Sequence, residues 1–141
     1  MATGREILAL HRYFIWANKM RTLFDESIVR RGIPNESRVM IEPYMFYWYA
    51  GLFVVIEGWR HLGMADETID ALLQSPNVDL LRRYRNGVFH FQQEYYDSRF
   101  LQFIADGTNC VEWIRTLNQE FGRYFLTREK AAATDDKSPG A

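Results

Sequence analysis

The chain has 141 residues, with 48% hydrophobic and 16% aromatic residues and a formal net charge of −1. That length predicts one domain able to bury a full core, and that composition excludes disorder for most of it. The near-neutral balance excludes a protein that coats nucleic acid by bulk charge, so any nucleic-acid contact must be local.

Basic charge is carried by 14 arginines and 3 lysines. Guanidinium groups suit phosphate and carboxylate recognition, and they serve equally well in surface salt links. Cys110 is the only cysteine. An intramolecular disulfide and a cysteine-based zinc site are therefore excluded. Glu6, His11 and Arg12 interrupt the start of the chain, which does not read as a secretory signal. The most apolar run, Tyr44 to Ile56, is shorter than the roughly 20 residues needed to span a bilayer. The expectation is a soluble, cytoplasmic protein with no membrane association.

Thr3 followed by Glu6 is a capping-box pair. The helix it opens is expected to run to about Arg31, ahead of Gly32 and Pro34. Leu10, Tyr13, Ala17, Met20, Phe24 and Ile28 draw its apolar stripe. His11 lies beside the stripe and reads as a packing or surface residue, since no second His or Cys keeps metal spacing with it. Pro34-Asn35 marks a turn and a helix start. Pro43 either closes a short helix or takes the first turn of the next.

Tyr44 to Leu62 reads as a helix that is apolar on every side in its first half. It must be covered all round, as the centre of a bundle or by giving one face to a partner chain. Gly63 ends it. Asp66 to Gln74 reads as a short helix. Ser75 as N-cap and Pro76 as first residue open another, with Leu80, Leu81, Tyr84 and Val88 as its buried stripe. Gln92 to Tyr96 reads as a loop.

Asp97 caps a short helix to Ala105, and Asp106-Gly107 breaks it. Asn109 with Glu112 forms a further cap pair. Cys110, Ile114, Leu117, Phe121 and Phe125 mark a last long helix to about Lys130. The expected fold is all-α: an up-and-down bundle of about four long helices plus short ones. Residues 1–130 form the single domain, and 131–141 a disordered tail.

Several chemistries lack their residues. No G-x-S-x-G, P-loop or H-E-x-x-H occurs. A carboxylate di-iron bundle needs paired Glu-x-x-His, but His11, His61 and His90 follow Leu8, Gly58 and Gly87 at that spacing. Cys110 lies on an apolar stripe and reads as core. No cofactor is expected.

One stretch concentrates polar chemistry: LRRYRNGVFHF, Leu81 to Phe91. It holds Arg82, Arg83, Arg85, Asn86 and His90. Arginine grips phosphate through paired hydrogen bonds, and histidine exchanges a proton near neutral pH. RNA cleavage can start by attack of a 2′-hydroxyl on its own phosphate. It then needs a base, an acid and positive charge on the phosphorane. His90 would do the proton work and Arg85 would stabilise the phosphorane. Asn86 would orient His90 or the phosphate, while Arg82 and Arg83 attract the backbone. On an ideal helix five residues turn the chain by roughly 140°. Arg85 and His90 therefore share a cleft only if the arginine reaches round or the turn loosens at Gly87, which alternatively marks the helix end. A structural role is the other reading, with Arg85 paired to a carboxylate such as Glu94 or Asp97.

A helical domain carrying RNGVFH resembles the HEPN superfamily, whose hallmark is Arg, four to six residues, then His, often with a polar residue directly after the Arg. Arg85, Asn86 and His90 match it. The order of helices resembles the family loosely over residues 4–130. The resemblance implies a homodimer that brings two motif copies into one cleft, and a metal-independent RNase, often a toxin or defence factor with an antitoxin or regulatory partner. Other members keep the fold without the activity and would bind a nucleotide, RNA or protein. Two positions depart from common patterns. Gln92 stands where one toxin subgroup has Tyr, and Phe91 where many members have Gly.

Overall fold

The structure is a computed structural model that describes residues 1–31, 38–95 and 97–136. Among them are six helices and no strand: α1 (Gly4–Arg31), α2 (Arg38–His61), α3 (Glu67–Leu72), α4 (Asn77–Phe89), α5 (Ser98–Asp106) and α6 (Cys110–Asp136). The all-α expectation holds. The turn expected at Pro34-Asn35 lies outside the described residues.

The capping box forms in full. The Thr3 N–H donates to Glu6 Oε2 at 2.7 Å, and the Glu6 N–H donates to the Thr3 hydroxyl at 3.2 Å. These bonds satisfy donors that a helix start leaves unpaired, and the bond from the Thr3 N–H holds the Glu6 carboxyl below its ordinary range. The buried stripe of α1 is Ile7, Leu10, Phe14 and Ala17. Tyr13, placed on that stripe from spacing, is exposed, not buried. The register starting at Ile7 wins because it puts Phe14 against Phe121 and Phe125 of α6.

Helix α2 runs through Pro43 instead of starting at it. A proline this near a helix start removes one backbone hydrogen bond, and the extensive burial downstream outweighs that loss. Trp48, Leu52, Val55, Ile56 and Trp59 are fully covered by the chain itself. The helix is the centre of the bundle, packed between α1 and α4. Small residues let α1 come close. A Cβ on Gly51 would lie 3.2 Å from that of Ala17, and one on Gly58 would strike Leu10. Gly63 ends the helix with φ +63. Its N–H donates to the Arg60 carbonyl, and the Met64 N–H to that of Trp59 at 3.0 Å. This pair is a Schellman closure, which glycine adopts without a Cβ penalty.

Asp66 caps α3 through the N–H groups of Thr68 and Ile69. Asp97 caps α5 through the Arg99 N–H. The Ser75 hydroxyl accepts from the Asn77 N–H at 3.1 Å, as a capping serine should, although the regular helix begins at Asn77. Asn109 does not form the expected cap pair. It sits at φ 47, and its carbonyl accepts from the Trp113 N–H. Cys110 is buried in the core, and α6 continues past Lys130 to Asp136. No helix among the described residues is long and apolar enough to cross a membrane.

Candidate functional site

Helix α4 carries the arginines because its other face is committed to the core. Leu81 and Tyr84 are buried, and the Tyr84 ring meets Phe46, Tyr49, Phe100 and Phe103. Positions 82 and 83 therefore fall on the exposed side. Arg82 makes a loose pair with Asp79 at 3.5 Å. Arg83 is exposed. Both stand where a polyanion in solution can reach them.

Arg85 is held more firmly. Its Nε donates to Asn86 Oδ1 at 3.0 Å, Nη1 donates to Glu57 Oε1 on α2, and the guanidinium carbon lies 4.8 Å from the centroid of the Phe53 ring. The side chain keeps 21% of its surface exposed, against 50% for Glu57. The carboxylate partner expected at Glu94 or Asp97 is thus Glu57, which approaches from another helix. Asp97 instead caps α5 and pairs with Arg99.

The helix does not loosen at Gly87. It continues to Phe89, and Gly87 is a packing position against α5, where a Cβ would lie 2.9 Å from Phe100 Cε1. The turn that matters comes at His90. Its N–H still donates to the Asn86 carbonyl at 3.0 Å, but its own φ of −120 and ψ of 131 are extended. His90 therefore leaves the helix, and the ideal-helix phase between it and Arg85 no longer applies. The next residues fix its backbone. Gln92 Nε2 donates to the His90 carbonyl at 2.8 Å, while Gln92 Oε1 accepts from Arg99 Nη1. Phe89, His90 and Phe91 are all exposed, Phe91 to 92%. Phe89 forms an exposed aromatic pair with Tyr47 at 6.1 Å.

Arg85 and Asn86 are therefore joined directly, and His90 is joined to Asn86 through the backbone only. Among the described residues no hydrogen bond links the His90 imidazole to Arg85. The side-chain oxygen of Asn86 serves Arg85, not the orientation of His90. Sequence reasoning missed Glu57, Phe53, Gln92 and Arg99. Glu57 had a signal: it is the only charged residue from Tyr44 to Trp59, and a lone carboxylate in so apolar a helix calls for a partner or for water.

A second polar cluster lies between α1, α2 and α6. Buried Asn118 accepts from Trp48 Nε1 at 3.0 Å and donates to Asn18 Oδ1 at 3.0 Å. Arg21 bridges Asn18 and Asp25, and Arg115 takes both oxygens of Asp25 at 2.8 and 3.3 Å. The Arg115 bond holds the Asp25 carboxyl below its ordinary range. These groups satisfy one another and fasten the bundle. His11 belongs to packing as expected, stacked on Phe125 with ring centroids 4.8 Å apart.

Comparison with known proteins yields no match to a family model, to a curated protein or to a solved structure.

Proposed function

We propose that this protein is a metal-independent endoribonuclease of the HEPN type. It acts as a homodimer that places two copies of Arg85 and His90 at one composite site. The observation that carries the reading is the state of the motif. Arg85 is oriented by Asn86 and Glu57, and five positions on His90 has left the helix with its ring exposed. Such an arrangement offers an oriented cation and an accessible proton carrier on adjoining segments.

In this mechanism the 2′-hydroxyl of the RNA attacks the neighbouring phosphorus. His90 of one or both subunits takes the hydroxyl proton and returns a proton to the leaving 5′-oxygen. Arg85 stabilises the charge on the phosphorane. Arg82 and Arg83 hold the flanking backbone. The nucleophile belongs to RNA, so the protein need not provide one. A role as a toxin or defence factor, restrained by an antitoxin or regulatory protein, fits this activity.

A second reading is favoured by one contact. Arg85 is already neutralised by Glu57, which suits a noncatalytic module that binds a nucleotide, RNA or protein partner. The two readings separate on purified protein incubated with total RNA. The ribonuclease reading expects cleavage that falls by about 10²–10⁴-fold in His90→Ala and in Arg85→Ala, with circular dichroism unchanged. RNA bound but left intact by the wild type supports the second reading.

A further inference from the structure

Glu57 is placed on α2, and its partner lies 28 positions further along the chain on α4. The carboxylate is one of three restraints on a single guanidinium. Asn86 Oδ1 accepts from Nε, Glu57 Oε1 accepts from Nη1, and the Phe53 ring lies under the face. Among the described residues Nη2 has no partner. Subtracting the engaged protons leaves the two on Nη2 and the second on Nη1. The two Nη2 protons are thus the ones placed to meet a phosphate oxygen.

We propose that Glu57 is a positioning residue for Arg85. It fixes the guanidinium plane so that Nη2 is the edge left for a substrate phosphate. The identity of that ligand rests on the ribonuclease reading; the hold on Arg85 rests on the contacts alone. Glu57 also explains how the site can bind phosphate with little net charge, since a preset guanidinium loses less freedom on binding than a mobile one. Glutamine at position 57 retains an oxygen acceptor for Nη1, and alanine does not.

Two readouts on the full-length protein test the inference. The first is nuclear magnetic resonance of ¹⁵N-arginine protein, with the Arg85 signals identified by their loss in Arg85→Lys. Restricted rotation should give resolved Nη proton signals for Arg85 in the wild type and in Glu57→Gln, and a collapsed signal in Glu57→Ala. The second is steady-state cleavage. Glu57→Ala should lower kcat by about 100-fold, the scale of a misplaced reacting group, with a smaller change in KM, and Glu57→Gln should restore most of kcat. Resolved Arg85 signals in Glu57→Ala overturn the inference, and so does a wild-type kcat in that variant. If the resonances behave as expected but the wild type cuts no RNA, the hold on Arg85 stands and the ribonuclease reading fails.

Discussion

Asn77 and Thr108 exchange two hydrogen bonds. Asn77 Nδ2 donates to the Thr108 carbonyl at 2.8 Å, and the Thr108 N–H donates to Asn77 Oδ1 at 2.9 Å. The asparagine is fully buried at the start of α4. The pair ties that start to the segment between α5 and α6, and so sets where the motif helix lies. Asn77→Ala removes both bonds and takes the partner from the N–H and carbonyl of Thr108, which is an exposed residue. We predict a loss of about 1–3 kcal/mol, read as a lower urea midpoint with unchanged slope.

Gly87 tests how the motif helix packs. Alanine would add helix propensity of about 1 kcal/mol. Its Cβ would also press on Phe100 at 2.9 and 3.1 Å and on Arg99 Cβ at 3.2 Å. Overpacking of this kind costs about 1–3 kcal/mol. The expected net effect of Gly87→Ala is a destabilisation of about 1 kcal/mol, measured by chemical denaturation. A gain in stability would show that α5 does not lie against this position.

The local devices are legible in the sequence and the long-range ones are not. The Thr3–Glu6 box, the Ser75 and Asp97 caps and the Gly63 stop depend on a few neighbouring residues, so residue type and spacing suffice to find them. Tyr13 and Phe14 both fit an apolar period, and only the position of α6 decides which is buried. Pro43 inside α2 is tolerated because of what that helix packs against. Sequence proximity points to Glu94 and Asp97 as partners for Arg85. Glu57 takes that place because α2 and α4 are neighbours in space. The exit of the chain at His90 has no comparable signal, since Gly87 is the more obvious breaker.

Asp25 gives stability a definite pH dependence. The hydrogen bond from Arg115 holds its carboxyl below the ordinary value of 3.8. A depressed folded-state pKa means that the unfolded chain binds the proton first as pH falls. The stabilisation is therefore fully present well above 3.8, and it is lost as pH drops through the lower folded value. Asp25→Asn should be less stable than the wild type at neutral pH, and the gap should close in acid. Denaturation midpoints of both proteins across that range give the comparison. A gap of constant size would exclude the ion pair as its source.

Arg82 and Arg83 should act on binding and not on turnover. Both are exposed on α4, outside the contacts that hold Arg85. Removing one arginine–phosphate pairing should lessen the slope of log affinity against log salt by about 0.7 for a single strand. Arg82→Ala and Arg83→Ala are expected to raise KM at moderate salt and leave kcat largely intact. A large fall in kcat would place them within the reacting centre.

The most direct test of the central claim is the chemistry of the ends. Protein purified in chelator is incubated with a defined single-stranded RNA, and the products are weighed by mass spectrometry. Attack by the 2′-hydroxyl predicts 2′,3′-cyclic phosphate ends paired with 5′-hydroxyl ends, formed by the wild type and absent with His90→Ala. Arg85→Lys should restore little, because an ammonium lacks the planar fork. Cleavage that persists at the wild-type rate in His90→Ala, or that yields 5′-phosphate and 3′-hydroxyl ends, would contradict the assignment of Arg85 and His90 as the catalytic pair.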